Sequence, residues 1–274
     1  MWRKLQIELQ SSCNRDCSWC PRYNDRTGIR KDSNGKNVAV KMPTEKVYDI
    51  IDKASKLGFK GNISFHRLSE AFLDKRYMEI WKYAKAKGMK LAEDTNGDVL
   101  RNNIELCSAL DETGNKLRIG LYDSYTEEER RKEIEFWKNR FKKAHISFSE
   151  PLKQNLLLRK NSQIYEWVEK DNEALNSPCF MGRNALRINY LGNALYCQED
   201  EQNTFDFENV FEKELEEIWW SDKRAELNNT LEKHGGKLNF PICRDCYTSQ
   251  KIENISVISD RVKNDTTINS QKWG

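Results

Sequence analysis

The sequence has almost no charge imbalance. Over 274 residues, 46 Lys+Arg stand against 43 Asp+Glu, a net charge of +3. A chain this close to neutral has no basic footprint for nucleic acid. Long hydrophobic runs are missing too, since no stretch approaches the ~18 apolar residues of a membrane-spanning helix. The opening "MWRKLQIELQ" lacks the apolar core of a secretory signal. There is no internal repeat. Histidine is scarce: His66, His145 and His234 are the only three, and none lies near the N-terminal cysteines. These absences lead us to expect a cytoplasmic protein with no nucleic-acid or membrane partner. Cysteine, by contrast, is plentiful. Eight thiols in a cytoplasmic chain point to metal binding or catalysis rather than a disulfide framework.

Strand-like and helix-like patterns alternate along the first half. "KLQIELQ" places Leu5, Ile7 and Leu9 at the period of a strand. "MPTEKVYDIIDKASKLG" has Val47, Ile50, Ile51 and Ala54 at helical spacing, with Thr44 predicted as N-cap and Gly58 as terminator. The order continues with strands at "NISFH", "MKLAEDTNGD", "KLRIGLY" and "HISFS". Helices are expected at "DKRYMEIWKYAKAKG", "NIELCSAL" and "TEEERRKEIEFWKNRFKKA". This alternation predicts an α/β fold with a parallel sheet or open barrel, in which ligands gather at the C-terminal ends of strands. The pattern changes near residue 178. "ALRINYLGNALYC" reads as a hairpin, "EKELEEIWWSDKRAELNNTLEKHGG" as one helix, and residues beyond 250 as a polar tail.

The stretch "SSCNRDCSWCPR" sets Cys13, Cys17 and Cys20 as C-x3-C-x2-C just after the first strand. A closed structural zinc site takes four protein ligands, and this loop has three. A cubane iron–sulfur cluster held by three thiolates keeps one iron open for a ligand. A second set, Cys179, Cys197, Cys243 and Cys246, is complete at four. By itself it suits either zinc or a fully ligated cluster. Cys107 remains. It sits on an amphipathic helix, where a buried core thiol is the default and a hydrogen-atom donor the sharper alternative.

With its C-x3-C-x2-C loop after the first strand and Trp19 before the third cysteine, the sequence resembles the radical S-adenosylmethionine (SAM) superfamily. The second set, with "LGNALYC", the "IW" helix and C-x2-C, resembles the twitch type of auxiliary domain, a shortened SPASM domain. The resemblance implies a partial (β/α)6 radical SAM barrel over residues 1–170. A small C-terminal twitch-type iron–sulfur domain would span 171–250, followed by a tail at 251–274. It further implies SAM and two [4Fe–4S] clusters as cofactors. Cys13, Cys17 and Cys20 would hold the SAM-binding cluster, and Cys179, Cys197, Cys243 and Cys246 the auxiliary one. Glu70 of "RLSEA" stands where relatives have a Gly-Gly-Glu-Pro-like stretch, from which Leu68, Ser69 and Ala71 depart. His66, Glu70, Thr95, Asn96 and Trp19 are the implied SAM-side residues.

Within the superfamily the pattern is most similar to dehydrogenases of aminocyclitols. That implies a 5′-deoxyadenosyl radical removing hydrogen from a secondary alcohol of a small sugar, polyol or aminocyclitol. The auxiliary cluster would accept the electron, and a flavodoxin or ferredoxin would supply the reductant. Arg159 and Glu199 are the implied catalytic pair, with Arg159 stabilising an alkoxide because its pKa is too high for a base. A radical SAM epimerase or ribosomal-peptide-modifying enzyme is the competing reading, although the barrel starting at once disfavours the peptide enzymes. A non-enzymatic iron–sulfur or zinc protein is a third, and it leaves the three-cysteine loop unexplained.

Overall fold

The computed structural model describes residues 1–15, 17, 20, 29–31, 37–124, 126–149, 169–170, 172–198, 200, 203–205, 207–244, 246 and 250–251. Among these, the chain opens with β1 (Lys4–Ile7), then a two-stranded ribbon of β2 (Ile29–Lys31) and β3 (Asn37–Ala39). Next come α1 (Thr44–Lys56), β4 (Asn62–Ser64), α2 (Tyr77–Ala86) and β5 (Lys90–Thr95). They are followed by α3 (Asp98–Arg101), α4 (Ile104–Leu110), β6 (Lys116–Gly120), α5 (Glu127–Arg140) and β7 (His145–Ser149).

β1, β4, β5, β6 and β7 pair side by side in parallel, in chain order. This is the α/β architecture that the alternation predicts. One face of the sheet is apolar. Leu5, Ile7, Ile63, Leu91, Leu117 and Ile119 are all but fully buried there, together with Val47, Ile50 and Ile51 of α1 and Ile80 and Ala84 of α2. The alternate residues Gln6, Glu8, Gln10 and Ser64 are buried as well, so the other face is a polar interior rather than a solvent face. No helix among the described residues is long and apolar enough to cross a membrane.

The second half adds β8 (Glu169–Lys170), α6 (Asn172–Asn176), α7 (Met181–Asn184), β9 (Ala185–Ile188) and β10 (Ala194–Leu195). It continues with α8 (Leu215–Trp219), α9 (Asp222–Leu231), α10 (Pro241–Arg244) and β11 (Gln250–Lys251). β9 and β10 form the predicted hairpin. β9 also pairs in parallel with β1, Leu5 opposite Leu186 and Ile7 opposite Ile188, so one seven-stranded sheet runs through both halves. β11 returns to pair with β8.

Two local expectations are corrected. Thr44 is the first helical residue of α1, not its cap; Pro43 holds the cap position, and Thr44 Oγ1 accepts from Arg76 Nη1 at 2.8 Å. The single helix expected from residue 212 is broken at Ser221, whose Oγ accepts from Arg224 N and starts α9 afresh.

Candidate metal centres

The loop carrying Cys13, Cys17 and Cys20 leaves the C-terminal end of β1 and is tied to its neighbours by side chains between the thiols. Asn14 Nδ2 donates to Asp98 Oδ2 at 2.7 Å, and Asn96 Nδ2 donates to Asn14 Oδ1 at 2.8 Å. Arg15 is the main anchor. Its guanidinium grips Asp98 through Nε at 2.7 Å and Nη2 at 2.5 Å, and Asp123 through Nη1 at 2.9 Å and Nη2 at 2.7 Å. The loop is thereby fixed to the segments that follow β5 and β6. Cys20 N closes a turn onto Cys17 O at 2.9 Å. Burial, and then the adjacent Cys20 and Cys13, push the Cys17 thiol well up. Three neighbouring thiols with no histidine beside them in sequence suit an iron–sulfur group, which takes thiolate ligands.

Glu70, Thr95 and Asn96 come together against this loop. Glu70 is buried and accepts from Thr95 Oγ1 at 2.9 Å, Asn96 N at 2.9 Å and Phe72 N at 3.3 Å. Burial raises its carboxyl to about 7 despite those three donors. Its own N–H donates to Ser12 O at 3.0 Å, joining it to the residue before Cys13. Asn96 Nδ2 lies 3.9 Å from Cys13 Sγ. Thr95 Oγ1 and Asn96 Oδ1 also accept from Gly97 N and Asp98 N, both at 3.0 Å. Gly97 is required here: its φ is +84°, and a Cβ would stand 2.9 Å from the Trp137 ring.

His66 lies farther along, bound to strand β5. Its Nδ1 meets Glu93 Oε1, its Nε2 lies 3.3 Å from Asp94 Oδ2, and Gln6 Nε2 donates to its carbonyl at 2.8 Å. Burial alone would lower its pKa, but Asp94 and Glu93 outweigh that and hold it near 9. His145 begins β7, as expected. Cys107 is 2% exposed on α4, and its thiol donates to Leu100 O at 3.1 Å, which is the core reading.

The second thiol set lines a cavity of about 30 Å³. Cys179, Cys197, Cys243 and Cys246 line it with apolar Met181, Tyr196, Phe205, Leu231 and Ile242, and with polar Gln198 and the buried cation Lys237. Cys243 N donates to Phe240 O, and Cys246 N to Cys243 O at 3.3 Å, so the C-x2-C pair sits on the turn of α10. Burial, then Cys246 and Cys179, push the Cys243 thiol up to about 12. Among the described residues, no three His, Cys, Asp or Glu side chains are drawn around a single-ion position. The donor set of four thiols, in a mostly apolar chamber that also holds the Lys237 cation, fits a fully ligated iron–sulfur cluster. Trp19, Arg159 and Glu199 lie outside the described residues.

Sequence reading passed over Arg15, Asp98 and Asp123. Asp98 was visible only as the end of "DTNGD", and nothing local marks Asp123 as its counterpart. It also passed over Arg67, whose Nη2 donates to Asp200 O at 3.2 Å and whose Nη1 is 3.7 Å from buried Glu8.

The comparisons follow the same division of the chain. The profile described as the radical SAM superfamily matches residues 7–153, and the SPASM iron–sulfur cluster-binding domain matches residues 179–247. The S-adenosyl-L-methionine-dependent 2-deoxy-scyllo-inosamine dehydrogenase of Niallia circulans is 24% identical over 260 residues, 90% of this chain and 93% of that protein. The crystal structure of BtrN in complex with AdoMet and 2-DOIA superposes with a TM-score of 0.64 at 21% identity, over 90% of this chain and 93% of that one. Streptococcus suis SuiB bound to its precursor peptide SuiA gives 0.53 at 13% identity, over 93% and 76%. At such identities the structural likenesses speak for the fold.

Proposed function

The chain belongs to the radical SAM superfamily, and on that premise we propose that it is a dehydrogenase of a secondary alcohol on a small sugar, polyol or aminocyclitol. Its cofactors are SAM, the [4Fe–4S] cluster that binds it, and an auxiliary iron–sulfur cluster. When bound, these supply a 5′-deoxyadenosyl radical for hydrogen abstraction and an acceptor for the electron left behind. One observation carries the dehydrogenase reading. The four thiols Cys179, Cys197, Cys243 and Cys246 share one cavity, a complete ligand set with no open position, which suits electron acceptance rather than substrate binding. The similarity to the 2-deoxy-scyllo-inosamine dehydrogenase supports a cyclitol-like alcohol as substrate.

In this reading Cys13, Cys17 and Cys20 hold the SAM-binding cluster, and Arg15 and Asn14 keep their loop against Asp98 and Asp123. Glu70 braces the loop, the end of β4 and the Thr95–Asn96 turn into one wall toward SAM. The resemblance implies SAM-side roles for His66 and Trp19 as well. Arg159 stabilises the substrate alkoxide and Glu199 stands beside the substrate. We place the protein in the cytoplasm, with a flavodoxin or ferredoxin as reductant. An epimerase would need a hydrogen-donating thiol at the substrate, and Cys107, the remaining one, is buried between α3, α4 and Arg140.

The test is mass spectrometry of product formed in deuterium oxide with dithionite, SAM and cyclitol substrates. The expected product is two mass units lighter than substrate and carries no solvent deuterium on carbon. Cys243→Ala with Cys246→Ala still releases 5′-deoxyadenosine but gives no ketone. A product of unchanged backbone mass with one solvent deuterium on carbon overturns the reading.

A further inference from the structure

Arg224 is a buried cation without an anion. Its side chain belongs to α9, and the residue is 1% exposed. Nη2 donates to Gly182 O, while Nε and Nη1 have no hydrogen-bond partner. No carboxylate among the described residues pairs with it. Aromatic faces surround it instead: Trp219 at 3.9 Å, Tyr196 at 5.5 Å and Phe207 at 5.8 Å from the guanidinium carbon. Such faces attract a cation but do not replace a counterion in a dry interior. An uncompensated buried charge normally costs several kcal/mol, so its retention calls for a nearby anion.

The anion site is one ring away. The Tyr196 ring that Arg224 faces lines the cavity with the four thiols, and Lys237, a second buried cation, lines it directly. Gly182, whose carbonyl receives Arg224, is pressed onto the same ring so closely that a Cβ would stand 2.3 Å from it. Met181, the preceding residue, lines the cavity as well. A cubane held by four thiolates is an anion, and its reduced form carries one further negative charge. Cluster potentials follow local charge and burial.

We propose that Arg224 is an internal counterion of the auxiliary cluster beside Lys237, a positioning residue that favours the reduced cluster and so its acceptance of the substrate's electron. The proposal rests on the dehydrogenase reading for its purpose. The electron balance is that reading's own. The substrate would lose a hydrogen atom to the deoxyadenosyl radical, its hydroxyl proton to water, and its remaining electron to the auxiliary cluster. Arg224 is not consumed and transfers no proton.

The experiment is an anaerobic redox titration, followed by electron paramagnetic resonance. It is done in a Cys13→Ala/Cys17→Ala/Cys20→Ala background, so that only the auxiliary cluster reports. Arg224→Met is expected to disfavour reduction about tenfold, a shift of ~59 mV to lower potential for a one-electron couple. Arg224→Lys, which keeps the charge, is expected to stay near the parent value. A purely structural arginine predicts equal potentials in all three, or loss in Lys and Met alike, and either result overturns the proposal. Should Arg224→Met lose its cluster, the chelator-stripped proteins decide. Counterion chemistry predicts that Arg224→Met is more stable than the parent without the cluster, and a structural role predicts less stable. A site that takes up zinc and gives no paramagnetic signal defeats the dehydrogenase reading itself, whereas a normal cluster with an unshifted potential defeats only the role of Arg224.

Discussion

Replacing Arg15 by Met removes the charge that fastens the first thiol loop while keeping similar bulk. The structure ranks the consequences. Arg15 is 6% exposed in its side chain, Asp98 21% and Asp123 48%. Deleting one partner of a buried pair costs about 3–5 kcal/mol, and an exposed pair contributes about 0–1 kcal/mol. The Arg15–Asp98 contact belongs near the first class and Arg15–Asp123 near the second. Arg15→Met is therefore expected to lose about 3 kcal/mol, and Asp123→Asn less than about 1 kcal/mol. Asp98→Asn falls between them, because Asn14 also donates to that carboxylate. With a urea slope of ~3 kcal/mol/M, Arg15→Met lowers the midpoint by about 1 M. The assay is urea unfolding of identically reconstituted proteins, followed by tryptophan fluorescence. In parallel, 5′-deoxyadenosine is measured without substrate, and it should fall in the same order. An Asp123→Asn cost equal to that of Arg15→Met, or a neutral Arg15→Met, refutes the argument from burial.

Reconstituted protein is expected to bind about eight irons and eight sulfides, and the Cys13/Cys17/Cys20 triple Ala variant about four of each, by iron and sulfide assay. Cys17→Ala is expected to form no 5′-deoxyadenosine with dithionite and SAM, where the parent forms it slowly; equal yields would end the radical reading. Cys107→Ala should retain turnover and lose about 1 kcal/mol from altered core packing, read by thermal unfolding. His66, raised from 6.5 to about 9 in the fold, adds stability that is complete below pH 6.5 and lost as pH climbs through 9. That amount is on the order of 3 kcal/mol, and the pH dependence of unfolding should flatten in His66→Gln.

Local signals were legible in the sequence to the extent that their causes were local. The alternation of Leu5, Ile7 and Leu9 gave β1, and Thr126 with Glu129 forms a capping box where a long charged helix was expected. Glu70, Thr95 and Asn96 could be nominated from short motifs, and they meet in space. The errors were also local. Thr44 resembled a cap, but Pro43 holds that position in extended backbone, and Ser221 interrupts what periodicity presents as one helix. Features that depend on distant pairing left no trace. Arg15 finds its carboxylates 83 and 108 residues away, and β9 joins β1 across most of the chain. Arg224 is equally silent: a charged residue on a short helix reads as a solvent-facing one, and only its burial among aromatic rings shows otherwise.

The pairing of β9 with β1 bears directly on how two thiol sets can serve one substrate. β1 ends toward Cys13, while the cavity residues Cys179 and Met181 precede the start of β9. Because β9 runs parallel to β1, its start lies beside the start of β1, where Arg3 N donates to Asn184 O at 3.0 Å. Cys179 thus belongs to the opposite end of this strand pair from Cys13, while Cys197, whose carbonyl accepts from Asp200 N, is tied to Arg67 beyond the end of β4. The rise of β1 alone sets Cys179 and Cys13 about 10 Å apart along the strands at ~3.3 Å per residue. No hinge between halves can close that gap, since the ladder is continuous. Between them runs the polar face of the sheet, with Gln6, Glu8 and Arg187 buried on it and Arg67 reaching from Glu8 to Asp200. A buried polar wall is costly unless something hydrogen-bonds to it. Glu8 Oε2, in its ion pair with Arg67 Nη1, and Arg67 Nε accept or donate no hydrogen bond there, and a hydroxyl can donate to the first while accepting from the second. A hydroxylated substrate placed between the two ends would meet the radical at one and the electron acceptor at the other, an order of events that an epimerase or a simple electron carrier has no need for.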